Sequence, residues 1–250
     1  MHEKAVALVT GANQGIGLQI SKDLAAKGFT VLVGARKRDR GEEAAKSVGH
    51  GARALQLDVT DAKSIAAAAA RIGRELGRLD VLVNNAGIAT TGKAGRTLHE
   101  MVEAGRPSVA SIDEARAVFE TNVFGVVAVT QAMLPLLRES PAGRIVNVSS
   151  VVGSLTANAD PNHPFRRVFG ATYSPSKTAL NAMTLAFAIE LEDTKIKVNA
   201  MCPGFTKTAF NNYEGTKSVE DAARRAVALA CLDANGPTGT FSNDEGPLPW

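Results

Sequence analysis

A chain of 250 residues, 45% hydrophobic and 21% charged, falls in the range of one large α/β domain with a sizeable buried core. Its formal net charge of +3 is too small for a nucleic-acid surface, and the basic run Arg36-Lys37-Arg38 followed by Arg40 is too short to track a phosphate backbone. Two cysteines, Cys202 and Cys231, supply neither a disulfide framework nor a zinc ligand cluster, so the chain reads as cytoplasmic and metal-free. The N-terminus enters a strand pattern at once, with no basic and apolar leader before it. The longest apolar segment, Val123 to Leu137, carries Thr130, Gln131 and Pro135 and is shorter than the roughly 20 residues a membrane span requires. The expectation is one domain over 1–250, with that segment as a buried helix and no membrane partner.

From Lys4 to Thr10 the apolar residues run almost without a break, as in a parallel strand covered on both faces. Gly11-Ala12-Asn13-Gln14-Gly15-Ile16-Gly17 follows, and then the helical pattern Leu18, Ile20, Leu24, Ala25. Glycines at a strand-to-helix junction let the backbone turn sharply and approach a pyrophosphate, whose charge the helix N-terminus favours. The plainer reading is a tight loop, but the strand before and the helix after are the context a nucleotide site needs. The second strand, Phe29 to Ala35, ends about 20 residues past the glycines, where dinucleotide folds usually place an acid on the adenosine ribose. Here Arg36 follows, and a guanidinium clamps a 2′-phosphate with paired hydrogen bonds, which favours NADPH; the alternative is that Arg36 and Lys37 cap the strand in solvent. A basic helix from Arg40 to Val48 leads to the strand Ala52 to Leu57, which ends in Asp58-Val59-Thr60. At that strand end Asp58 is a candidate for an adenine amino group; its rival role, helix N-capping, could fall to Thr60 or Asp61 instead. Ala62 to Leu76 is a good helix former and carries no functional signal.

The fourth strand, Leu79 to Val83, delivers Asn84-Asn85-Ala86-Gly87, small residues and amides suited to close backbone approach to a flat ring. A long connection follows from Ile88 to Ser111, with a brief helical pattern near Leu98 to Val102. Helical spacing is strong from Ile112 to Leu137, and within it Asn122 is an amide among apolar neighbours, costly unless its hydrogen bonds are satisfied. The fifth strand, Arg144 to Val148, places Ser149-Ser150 at its end, and a one-residue shift turns one of these hydroxyls to the opposite face from the other. Val151 to Thr172 is either a solvated insertion or a border of the binding site.

Tyr173-Ser174-Pro175-Ser176-Lys177 then sets a phenol and an ammonium four residues apart at the head of an apolar helix running to Leu191. That spacing puts both on one face, and a cation near a phenol favours the phenolate, so Lys177 is expected to lower the pKa of Tyr173. Pro175 places the helix start near Tyr173 or kinks the helix there. The sixth strand, Lys195 to Met201, leads to Cys202-Pro203-Gly204-Phe205-Thr206-Lys207-Thr208, a turn whose backbone and Thr208 suit a carboxamide. Asn211 to Glu220 reads as a flap over substrate or as an ordinary loop, the helix Val219 to Cys231 follows, and a short seventh strand ends at Phe241.

The glycine turn, the Asn-Asn-Ala-Gly, a Ser-Ser after a fifth strand and the Tyr-x-x-x-Lys come in the order seen in the short-chain dehydrogenase/reductase family, which the chain resembles over essentially its whole length. Gly246-Pro247-Leu248-Pro249-Trp250 resembles the ending of that family's NADPH-dependent carbonyl reductases. A Rossmann-type, doubly wound, mostly parallel seven-stranded sheet with helices on both faces is expected. The resemblance implies NADPH/NADP+ along the strand C-terminal edge, held by Gly11, Asn13, Gln14, Gly15, Ile16, Gly17, Arg36, Asp58, Val59, Asn85, Ala86, Gly87, Tyr173, Lys177, Pro203, Gly204, Thr206 and Thr208. It implies that Tyr173 is the general acid, Ser150 rather than Ser149 holds the substrate oxygen, Lys177 positions cofactor and acid, and Asn122 holds a water linking Lys177 to solvent. The implied partner is a small-molecule carbonyl substrate, reduced by hydride transfer; whether the chain is a monomer or a homo-oligomer stays open. The rival readings are an alcohol dehydrogenase, a reductase of carrier-bound ketoacyl groups that uses the pairs Arg166-Arg167 and Arg224-Arg225, and a non-catalytic dinucleotide-binding regulator.

Overall fold

The uninterrupted apolar runs form seven strands: β1 (Val6–Val9), β2 (Thr30–Ala35), β3 (Arg53–Gln56), β4 (Val81–Asn84), β5 (Arg144–Val148), β6 (Lys197–Met201) and β7 (Phe241–Ser242). The computed structural model describes residues 4–91 and 97–250. The strands make one sheet in the order β3-β2-β1-β4-β5-β6-β7, with every pairing parallel. The chain winds outward from β1 to β3 and then crosses back to β4, so the order reverses between β1 and β4. In such sheets the crevice past the strand ends at that point is where ligands bind.

Burial on both faces explains why these strands carry no polar alternation. Ala7 and Val9 point to one side, against Ile20 and Leu24 of α1 (Gly15–Ala26), Ala45 of α2 (Arg38–Val48) and Ala226 of α9 (Val219–Ala230). Leu8 and Leu82 point to the other, against Ile65 and Ile72 of α3 (Ala62–Leu76), Met133 of α6 (Gly125–Arg138) and Phe187 of α8 (Tyr173–Glu190). Each fully buried aliphatic side chain of this kind stabilises by roughly 2 kcal/mol. The α3 boundaries follow from local chemistry: Asp61 accepts the Lys63 amide at 2.9 Å, and Gly77 closes the helix with φ 75°.

The long apolar helix departs from its expected form. Ile112–Arg138 is a single 27-residue run, long and apolar enough by length and composition to cross a membrane, and it is interrupted by a π-turn at Glu120–Phe124 between α5 (Ile112–Phe119) and α6. Val118, Val129, Met133 and Leu137 along it are buried in the core. Of the long connection after β4, residues 92–96 lie outside the described residues, and α4 (Leu98–Ala104) opens with a Thr97–Glu100 capping box. The segment after β5 is an ordered border: a 3-10 turn at Val151–Gly153, α7 (Leu155–Ala159) and a second 3-10 turn at Arg166–Val168.

A chain of paired amides and hydroxyls is buried beneath the site. Asn84 Nδ2 donates to Asn147 Oδ1 at 2.9 Å, and Asn147 Nδ2 donates to Thr184 Oγ1 at 2.9 Å, which ties β4, β5 and α8 together. At the opposite, N-terminal edge of the sheet, Asp80 accepts the Val6 amide at 2.7 Å and the Ser140 hydroxyl at 2.6 Å. Beside it the Arg144 guanidinium, 2% exposed, donates to the carbonyls of Gly143, Lys195, Leu232 and Asp233.

Candidate active site

The glycine turn is shaped by what it must touch. Gly11 sits at φ 61°, and a methyl there would come within 2.9 Å of Ala86 Cα; a methyl on Gly17 would fall 2.3 Å from Asn85 Nδ2. Asn85 Nδ2 donates to the carbonyls of Thr10 at 2.9 Å and Gly11 at 3.1 Å, while Thr10 Oγ1 accepts the amides of Asn85 and Ala86, each at 3.0 Å. Asn85 therefore clamps the glycine turn, and Asn84 braces the sheet below it. The N-cap of α1, Gln14, makes no side-chain bond and the first turn holds no acid, so the leading amides carry no side-chain acceptor. With the glycines beside them, these amides fit a pyrophosphate.

Past β2, Arg36 and Lys37 are exposed, while Arg38 pairs with Glu42 at 2.8 Å. Asp58 Oδ1 accepts both the amide and the hydroxyl of Thr60, and the capping of α3 falls to Asp61. Val59 is buried, and its carbonyl lies where a methyl on Gly125 would approach to 2.7 Å. Across the crevice, a methyl on Gly15 would lie 3.5 Å from Thr208 Cγ2, so the turn after β6 reaches over to the glycine turn. Thr206 is buried within that turn, its hydroxyl on the Pro203 and Gly204 carbonyls at 3.2 Å.

Between the two turns lie the four groups expected to do chemistry. The helix α8 begins at Tyr173, so Pro175 falls in its first turn, where a missing amide proton costs nothing. The Ser150 hydroxyl stands beside the Tyr173 phenol, where it acts to lower the phenol pKa, and it accepts the Val152 amide at 3.4 Å. Ser149 faces the other way, 1% exposed, and donates to Asn181 Oδ1 at 2.6 Å. Lys177, 4% exposed, donates through Nζ to the Val148 carbonyl at 2.7 Å and stands 5.7 Å from the centroid of the Tyr173 ring. Asn122 lies inside the π-turn, where the Gly125 amide bonds back to the Glu120 carbonyl. Its Oδ1 accepts the Ile88 amide at 2.8 Å, and its Nδ2 donates to the Ile88 carbonyl at 2.8 Å and Ser176 Oγ at 3.0 Å. Ser176 in turn donates to the Tyr173 carbonyl at 2.6 Å. Gly87 leaves the room this needs: a methyl there would meet Asn122 Oδ1 at 3.2 Å and Lys177 Nζ at 3.6 Å.

The electrostatics correct one expectation. Tyr173 is pushed above the ordinary phenol value, chiefly by burial and next by the neighbouring Cys202, with the Ser150 hydrogen bond acting the other way. Burial lowers Lys177 to about 8. Lys177 therefore does not make the phenol acidic in this arrangement. Its ammonium is bonded to the Val148 carbonyl, stands over the ring at 5.7 Å from the centroid and is itself poorly solvated, so desolvation of the phenolate wins.

The substrate side is aromatic. Phe210, 43% exposed, meets the Tyr173 ring edge-on at 5.5 Å, and Phe165 of the post-β5 border lies 6.4 Å from Phe205. The segment 211–220 folds back onto the Pro203-Gly204 turn: Asn211 Nδ2 donates to the Thr206 carbonyl at 2.9 Å, and Lys217 pairs with Asp244 at 2.6 Å. Three arginines of the two pairs are engaged elsewhere, Arg166 on the carbonyls of Asn158 and Ala159, Arg224 on Asp221 and Arg225 on Ser242, while Arg167 is exposed. Thr10, Ile88, Ser176 and Phe210 are site residues that sequence reasoning missed. Ser176 alone carried a signal, since it sits inside the Tyr-x-x-x-Lys motif.

The short chain dehydrogenase family profile matches residues 5–218, which hold both turns and all four of these side chains. The chain belongs to that family. A short-chain dehydrogenase of Penicillium roqueforti is 37% identical over 91% of this chain and 88% of its own length. Carbonyl reductase [NADPH] 1 of Mus musculus is 33% identical over 99% of each chain. The crystal structure of NADPH-bound carbonyl reductase from chicken fatty liver superposes with a TM-score of 0.80 at 28% identity, covering 99% of this chain and all of that one. As a short-chain dehydrogenase, this protein is an oxidoreductase of a family that uses a nicotinamide dinucleotide. The sharp glycine turn, packed against Ala86 and Asn85 where no Cβ would fit at Gly11 or Gly17, and the amides leading α1 fit that group.

Proposed function

We propose that this short-chain dehydrogenase reduces a ketone or aldehyde to the alcohol with NADPH. The observation that carries the reading is the meeting of Tyr173, Ser150 and Lys177 in the crevice between the glycine turn and the Pro203-Gly204 turn. When bound, the nicotinamide supplies hydride to the carbonyl carbon. The protein's part is the oxygen. Ser150 hydrogen-bonds it and Tyr173 donates the proton that the developing alkoxide needs. The raised pKa of Tyr173 keeps that proton in place at neutral pH until negative charge appears beside it. Lys177 spends one donor on Val148, which leaves its others for ribose hydroxyls. The side chain of Asn122 is committed to Ile88 and Ser176, so its contribution to a proton path is to fix the wall behind Lys177 and to offer its backbone carbonyl to a water.

Arg36 is the group for a 2′-phosphate, and the NADPH named for the mouse and chicken relatives supports that preference. The engagement of Arg166, Arg224 and Arg225 within the protein weighs against a carrier-bound ketoacyl substrate, and the aromatic edge beside Tyr173 favours an apolar carbonyl compound. The test is a panel of ketones and aldehydes, with NADPH absorbance followed for the wild type and Tyr173→Phe. The expected result is turnover by the wild type and a loss of about 10²- to 10⁴-fold in the variant, with NADPH binding retained. A Tyr173→Phe protein that turns over normally, or a stronger use of NADH than NADPH, overturns the mechanism or the cofactor assignment respectively.

A further inference from the structure

We infer that Cys202 is a positioning residue whose sulfur sets the separation between Ser150 and the Pro203-Gly204 turn; the inference rests on the function proposed above. Cys202 directly follows β6 and is 4% exposed. Its Sγ accepts two backbone amides, Val151 N at 3.1 Å and Gly204 N at 3.4 Å. Val151 is the residue after the hydroxyl that meets Tyr173, and Gly204 lies in the turn on the far side of the crevice. One atom therefore joins the strand end that holds the substrate oxygen to the turn placed for the cofactor ring.

The chemistry suits a thiol better than its neighbours in size. Buried amides need an acceptor, which alanine and valine lack. Sulfur is larger than oxygen and bonds at longer range, so it holds the two segments further apart than a serine hydroxyl would. The rear of the side chain is fixed as well: Ala200, Cys202 and Phe241 form a small buried cluster with Val151 and Trp250 packed on it, and the Trp250 ring stacks on Phe241 at 5.6 Å. The sulfur cannot retreat, so the two amides register on it. Burial also raises the thiol pKa, so at neutral pH the two amides rest on a neutral sulfur, and its charge bears on Tyr173 and Lys177 only in alkali.

Three variants separate positioning from packing. Cys202→Val fills the space without an acceptor, Cys202→Ala empties it, and Cys202→Ser keeps an acceptor. Steady-state kinetics with NADPH and a ketone should show kcat reduced about ten- to a hundred-fold in the valine and alanine variants and by less in the serine variant, whose smaller acceptor keeps both bonds but draws the two segments together. Amide hydrogen exchange at Val151 and Gly204 supplies a readout that needs no turnover. Both amides should lose protection in Cys202→Val and keep it in Cys202→Ser, while the core strands stay protected in all three. Equal exchange at those amides in the valine variant and the wild type overturns the inference, as does equal kcat in the valine and serine variants. If the wild type turns over no carbonyl substrate, the proposed function fails by itself and the exchange result still decides the role of the sulfur.

Discussion

Two buried cations meet the same strand at opposite ends, and they are finished differently. Arg144 opens β5 and gives its guanidinium to four carbonyls, while Lys177 bonds the last carbonyl of β5, Val148, its one protein acceptor among the described residues. Burial lowers the pKa of both. The difference teaches how to tell a staple from a tool. A cation that spends four of its five donors on carbonyls holds the fold together, whereas one left with most of its donors at the strand C-terminal edge is held ready for something that is not protein.

Replacing Lys177 by Met should give the largest change, a fall in kcat/KM for NADPH of about 10³-fold or more, with the melting temperature unchanged or raised because an under-bonded charge leaves the interior. Arg144→Met should do the reverse. The loss of its donors from four carbonyls should cost about 3 to 5 kcal/mol in a denaturant titration, with kcat per folded molecule within about two-fold of wild type. If both variants lose activity and stability together, the contrast between the two cations collapses.

The pH dependence sharpens the same contrast. Lys177 falls from 10.5 to about 8 on folding, so both states are protonated below pH 8 and the unfolded chain binds the extra proton between 8 and 10.5. Stability should therefore rise with pH across that window, by up to roughly 3 kcal/mol, and Lys177→Met should flatten the rise. Tyr173 works in the opposite sense: its raised pKa keeps the native phenol protonated above pH 10 while the unfolded one ionises, which removes stability there. In activity, kcat/KM for NADPH should decline above about pH 8 as the ammonium discharges, and Lys177→Arg should move that limb upward. Arg36 supplies the smallest test, an exposed cation that braces nothing. Arg36→Ala should raise KM for NADPH about ten-fold, leave KM for NADH nearly unchanged and shift the melting temperature by less than about 1 °C.

Much of this was readable from sequence because it is local or repetitive. The strands announce themselves as unbroken apolar runs, the glycines fall between a strand and a helix, and Tyr173 and Lys177 are related by helical spacing alone. The choice of Ser150 over Ser149 needed the family resemblance, since alternation says that one hydroxyl turns away but not which one. The partners of Asn122 were out of reach: Ile88 is 34 residues away and Ser176 is 54 away, and only the packing of α8 against the π-turn brings them together. Phe210 on Tyr173 and the Val151 amide on Cys202 belong to the same class. The misjudged effect of Lys177 on Tyr173 has a different cause. Spacing reports proximity, whereas the cost of removing a charge from water depends on everything packed around it.

The π-turn at Glu120–Phe124 has a consequence for how this chain tolerates change. It holds one residue more than an α-helical path requires, and that surplus turns Asn122 toward Ile88 and Ser176. Removing a single residue there would close the wide turn into an ordinary α-turn with α5 and α6 still in register, and it would carry Asn122 away from Ile88 and Ser176. The surplus residue is thus spent on aiming one amide, and its loss should spare the fold while undoing the wall behind Lys177.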